Sequence, residues 1–193
     1  MARPREFDEI EAMNSAVEVF MSKGYEASSL MDLLKSMKLS KSSLYNSFGT
    51  KHELFLSAID HYSISTENRL RKNLEGTSTA RKKLELILEA IMKCDLQSME
   101  SRGCLLHNSA LERLPHDELA AEKIASGLDR LRKIYMEVIT DGQKNGEISD
   151  KHSAETLGDL FLNSVLGLRS FARVIPDENR LKQLSKSILD SML

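Results

Sequence analysis

At 193 residues the chain is long enough for one large domain, or for a small domain joined to a bigger one. Its 41% hydrophobic and 29% charged residues give an ordinary globular balance. The absence of any apolar run near the ~20 residues needed to cross a bilayer argues against a membrane protein. A net charge of −2 excludes a uniformly basic nucleic-acid binder.

Helical periodicity recurs throughout the chain and sustained period-two alternation is nowhere found, so the expected fold is all-α with about nine helices. The first helix is expected from about Asp8 to Lys23, with Ile10, Met13, Val17 and Phe20 on one face and Gly24 as its C-terminal cap. Ser28 or Ser29 caps a short second helix ending near Met37, with Ser29 and Asp32 spaced as a capping box. Ser40 caps a third, about Lys41 to Ser47, closed by Gly49, and Thr50 with Glu53 opens a long fourth that fades near Gly76. A fifth spans Ala80 to about Met99, and a sixth runs from about Cys104 to Leu114, before Pro115. The seventh covers roughly Asp117 to Asn145, the eighth about Ser153 to Val174, and the ninth about Asp177 to Met192.

The second and third helices are each about eight residues long, and the turn between them is too short for anything but a sharp corner. That is the helix-turn-helix arrangement, whose second member enters the major groove. Leu44 and Phe48, four apart, can anchor the third helix. Lys41, Ser42, Ser43, Tyr45 and Asn46 are left as outward donors and acceptors, Asn suited to adenine and Lys to guanine. Charge distribution agrees: from Leu33 to Lys51 there are four lysines (Lys35, Lys38, Lys41, Lys51) and no acid, and Arg3 and Arg5 sit near the start. For an isolated eight-residue helix, a solvated polar face on a small core helix explains the same pattern.

The surroundings of that helix decide the matter. Gly24-Tyr-Glu-Ala-Ser-Ser-Leu-Met-Asp-Leu-Leu34, then Leu39-Ser-Lys-Ser-Ser-Leu-Tyr-Asn-Ser-Phe-Gly-Thr-Lys-His-Glu-Leu-Phe55, closely resembles the TetR family of bacterial repressors. The shared features are a hydroxyl at the cap of the second helix (Ser28, with Ser29 beside it), Leu44-Tyr45 and Phe48 in the recognition helix, and Lys51 opening the fourth. The position that the family fills with glycine is Lys38 here, a left-handed turn that costs a lysine about 1 kcal/mol. The resemblance implies an all-helical homodimer: a DNA-binding domain over residues 1–52 and an effector-binding and dimerisation domain over 53–193. It also implies a repressor, not an enzyme, that works in the cytoplasm and leaves double-stranded operator DNA when a small molecule binds. Arg3, Arg5, Ser28, Ser29, Lys38 and Lys51 are then expected near DNA beside the recognition helix.

The body offers independent support and one open question. The eighth helix is apolar around most of its circumference, so it needs cover on two sides. Leu162, Leu166 and Leu168, with Leu181, Leu184 and Ile188 on the ninth, are the expected dimer surface. Met92, Tyr135 and Phe161, with Cys104, His107, Asn108 and Ser164 as polar members, are candidates for an effector pocket. Cys104, beside Arg102 and one turn before His107, also allows a thiol sensor of electrophiles or oxidants, or a Cys–His nucleophile. Ordinary helix packing by a small buried residue is the bland alternative. The two cysteines are too few for a disulfide framework, and the five histidines are scattered without metal-ligand spacing, so no metal or cofactor is expected.

Overall fold

A computed structural model describes residues 7–97 and 103–192. Among the described residues it contains nine helices and no strand: α1 (Glu9–Lys23), α2 (Leu30–Met37), α3 (Lys41–Phe48), α4 (Lys51–Leu74), α5 (Ala80–Gln97), α6 (Leu105–Arg113), α7 (Glu118–Lys144), α8 (Ala154–Val174) and α9 (Glu178–Asp190). The expected order and boundaries hold to within a few residues. Cys104, expected in the first turn of α6, lies just before it.

Local side-chain chemistry sets the helix ends. Asp8 accepts hydrogen bonds from the backbone N–H groups of Ile10 and Glu11 and so starts α1. Ser29 and Asp32 form the full reciprocal capping box of α2, and the Thr50 and Glu53 side chains exchange the same pair of bonds with each other's backbone N–H. Lys38 adopts the left-handed conformation that the family resemblance implies (φ 55°, ψ 38°). Its N–H bonds to the Leu34 carbonyl, so the helix end offsets part of the strain.

The helices gather into two compact units. One comprises the chain up to Ile64 with Leu105–Gly127; the other comprises Ser65–Cys104 with the chain from Leu128 onward. The division falls within α4 and within α7, so compactness groups α6 and the start of α7 with the head, beyond the sequence boundary at residue 52. The core of the first unit is built on Phe20, Leu33, Leu44, Leu54, Phe55 and Ile59, all essentially inaccessible. Phe20 and Phe55 meet edge to face at 5.1 Å between centroids.

The core of the second unit is formed by Leu84, Ile87 and Leu88 of α5, Ile134, Tyr135 and Ile139 of α7, Phe161 and Val165 of α8 and Leu181 of α9. Here α5 packs against both α8 and α9. The start of α5 approaches α7 closely enough that Gly142 is required: a Cβ there would lie 2.7 Å from that of Ala80. No helix among the described residues is long and apolar enough to cross a membrane.

Candidate nucleic-acid interface

The third helix presents two chemically distinct faces. Leu44 is fully buried and Phe48 half-buried, fixing the helix to the first unit, while Lys41, Ser42, Tyr45 and Asn46 are exposed and Ser43 is half-exposed. Ser40 caps it by accepting from the Ser43 N–H at 3.1 Å, and its hydroxyl lies 2.9 Å from that of Ser42. The Lys41 ammonium rests 5.9 Å from the Tyr45 ring centroid, which limits its sweep. Four polar side chains on one turn and a half, held rigidly from behind, have the geometry of a base-reading surface.

The other expected contacts divide. Lys51 is half-buried, and its ammonium lies 4.3 Å from the centroid of the Tyr25 ring, so an aromatic face positions it. Lys38 and Ser29 are exposed. Ser28 turns inward, 2% exposed, and its hydroxyl donates to the Gly24 carbonyl; its side chain closes the turn before α2 and is not available to a phosphate. Arg3 and Arg5 lie outside the described residues. Lys23 bonds Asp32 at 2.6 Å and ties α1 to the cap of α2. That bond, with those from Ser29, holds the Asp32 carboxyl well below the usual carboxylate range.

A network that sequence reading missed braces this head from α6. The Glu112 carboxylate accepts from two consecutive backbone N–H groups, Tyr25 and Glu26, each at 2.8 Å. The turn that offers them begins at Gly24 (φ +79°), where a Cβ would come within 2.9 Å of Glu112 Oε2. Arg113 covers the Tyr25 ring at 4.5 Å, bonds Glu26, and reaches Asp117 at 3.2 Å. Asp117 also accepts from the Ala120 N–H, capping α7, and lies 2.9 Å from His52 Nε2 on α4. Burial alone raises the Asp117 carboxyl, but the Ala120, His52 and Arg113 bonds outweigh it and leave it below its ordinary value. Long-range pairings of this kind leave no periodic trace in a sequence.

In the second unit, Tyr135 and Phe161 are buried and meet edge to face at 5.0 Å. Met92 is half-buried and its sulfur accepts from the Ser185 hydroxyl at 3.2 Å; Ser164 spends its hydroxyl on the Leu160 carbonyl of its own helix. His107 and Asn108, on α6, belong to the first unit. Cys104 is 3% exposed, whereas Cys94 is exposed. That burial removes the solvent access on which a thiol sensor or nucleophile depends and matches the packing alternative. No group of His, Cys, Asp and Glu among the described residues could hold a metal ion.

Of the expected dimer surface, Leu168 and Leu181 are buried within the chain itself, on the two helices that pack against α5. Leu184 stays exposed, Leu162, Leu166 and Ile188 are half-exposed, and Leu160 and Val174 add open apolar area. Inside the same unit lies a polar pair the sequence reading also passed over: Arg169 of α8 bonds Asp95 of α5 at 3.0 Å, with side chains 13% and 2% exposed. A signal existed, since Asp95 continues the apolar stripe Leu84, Leu88, Ile91.

Comparison with known proteins gives consistent relatives. The model of bacterial regulatory proteins of the tetR family matches residues 12–58, and that of the tetracyclin repressor-like C-terminal domain matches residues 80–188. The HTH-type transcriptional regulator YezE of Bacillus subtilis is 30% identical, covering 98% of this chain and all (100%) of that one. The HTH-type transcriptional repressor ComR of Escherichia coli is 26% identical, over 97% of this chain and 90% of its own. A cysteine mutant of the TetR family transcriptional regulator CifR, complexed with 26-bp double-strand operator DNA, superposes with a TM-score of 0.86 at 26% identity, covering 100% of both chains.

Proposed function

Because the chain belongs to the TetR family of bacterial regulatory proteins, we propose that it is a dimeric repressor that reads operator DNA with α3 and leaves it when a small molecule binds its helical body. The observation that carries this is the exposed set Lys41, Ser42, Tyr45 and Asn46, mounted on the buried Leu44 anchor. Lys41 and Asn46 supply bidentate base partners; Lys51, Lys38 and Ser29 serve the phosphates. Residues 1–52 form the DNA-binding domain in this reading, and the body from residue 53 onward holds effector and partner. The reading is that of a regulator rather than an enzyme, and its place of work is the cytoplasm, where operator DNA lies.

A single head covers one half-site, so two heads must reach half-sites about one helical turn apart, ~34–36 Å, or a multiple of that. The apolar side chains left open on α8 and α9, Leu160, Leu162, Leu166, Leu184 and Ile188, are the surface we assign to the second subunit. The test is recovery of duplex fragments by the purified protein, followed by footprinting. A protected inverted repeat with two chains per site supports the reading, and retention of no particular sequence contradicts it.

A further inference from the structure

Two lysines of the DNA-reading head are held in different ways. Lys23 bonds Asp32 at 2.6 Å, so its charge is already answered within the chain. The ammonium of Lys51 instead stands 4.3 Å from the centroid of the Tyr25 ring, and no carboxylate among the described residues pairs with it. Its position is unfavourable for a cation. Lys51 is the first residue of α4, at the positive end of the helix dipole, and the acid of that turn, Glu53, has its carboxylate on the Thr50 N–H and hydroxyl. The negative face of the Tyr25 ring is what offsets this.

The ring is fixed from several sides. Glu112 of α6 accepts from the Tyr25 N–H at 2.8 Å, and Phe55 packs on the ring with centroids 4.7 Å apart. Arg113 of α6 lies 4.5 Å from the same centroid, but its charge is answered by Glu26 and Asp117. Of the two cations on this ring, Lys51 is therefore the one whose charge stays open. Both Tyr25 and Lys51 are half-buried, and partial desolvation strengthens the attraction between them.

A ring and a carboxylate hold a lysine with different consequences. A carboxylate would cancel the charge and would have to be displaced before a phosphate could bind. A ring face attracts the ammonium and restricts its four-carbon stem, yet leaves its charge and its outward N–H donors for an anion. Part of the rotamer freedom that a lysine loses on meeting DNA is then already lost in the free protein. We infer that Tyr25 is a positioning residue for DNA binding: the negative face of its ring, fixed by Glu112 and Arg113 of α6, holds the Lys51 ammonium ready for a backbone phosphate. The inference rests on the duplex-binding regulator proposed above and adds to it a residue that acts through Lys51.

The test replaces Tyr25 in the full-length protein by phenylalanine, and then by phenylalanine carrying one, two or three ring fluorines. Fluorine drains the negative face of the ring while nearly keeping its shape, so a packing role would not respond to it. Affinity is measured at low salt for the selected operator and for a random duplex. Tyr25→Phe should bind both within about twofold of wild type, because the ring face is retained. Affinity should then fall with each fluorine on both duplexes alike. With one ring in each of two heads, each contributing about threefold, the trifluoro protein should bind about tenfold more weakly. In a Lys51→Met background the same series should be flat.

A flat series with Lys51 present overturns the inference. So does an equally steep series in Lys51→Met, which would trace the loss to Arg113 or to the turn itself. Wild-type protein that binds neither duplex sinks the duplex-binding reading and the inference with it, whereas firm wild-type binding with a flat series sinks the inference alone.

Discussion

Replacing Glu112 by Gln tests whether α6 holds the DNA-reading head in shape. In the wild type, both carboxylate oxygens accept from consecutive N–H groups, Tyr25 and Glu26, at 2.8 Å. The amide keeps one acceptor and turns an NH2 toward the other N–H, so one charge-assisted bond is lost and two donors oppose each other. Bonds to charged groups contribute about 1.5–3 kcal/mol each, and water reaches the exposed Glu26 side of the turn, so a net cost of about 2 kcal/mol to local closure is reasonable. That corresponds to roughly thirtyfold more frequent opening of the turn between α1 and α2. Amide hydrogen exchange at Tyr25 and Glu26 should accelerate by about that factor. Operator affinity should fall only a few-fold, because the closed form still dominates, and its salt dependence should not change, because Glu112 meets no phosphate. Unaltered protection at both amides would refute the reasoning and reduce Glu112 to a surface acid.

Lys41→Ala or Asn46→Ala should reduce discrimination between operator and random duplex by about 1–3 kcal/mol per lost base contact, as read from competition binding. Lys51→Ala should weaken both alike and lower the salt slope by about one. Asp117→Asn should lower stability near neutral pH and flatten the acid limb. The folded carboxyl lies below its unfolded value of 3.8, so its contribution is full above that pH and disappears as pH falls through the folded value. Denaturation midpoints of wild type and variant should therefore converge as the pH falls below the folded value of the carboxyl, which lies under 3.8. Leu166→Glu with Leu184→Glu, both still accessible in the single chain, should give helical monomers with lost operator affinity in sedimentation and circular dichroism. Dimers that persist would place the subunit contact elsewhere.

What could be read in the sequence was whatever obeys a local rule. The caps at Ser29, Ser40 and Thr50 announce themselves by residue type and three-residue spacing, whereas the left-handed Lys38 was expected only from the family resemblance, which has glycine there. The recognition helix was legible because Leu44 and Phe48 are four apart and everything between them is polar. Side-chain direction was less accessible. Ser28 looked as outward as Ser29 until the turn at Gly24 claimed its hydroxyl, and Leu168 and Leu181 sit on stripes too broad to tell an inner face from an outer one. Pairings across tens of residues, Glu112 with Tyr25 or Asp95 with Arg169, depend on tertiary packing and have no signature in a single chain beyond a charge where the periodicity expects an apolar residue.

The central claim is that α3 makes this protein a sequence-specific duplex reader. The most direct measurement is the affinity of the wild-type dimer for its selected operator and for random duplex across a range of salt concentrations. The account predicts a steep, linear loss of log affinity with log salt on both, with the operator bound at least about a thousandfold more tightly. Equal affinity for both duplexes, or binding indifferent to salt, would contradict it.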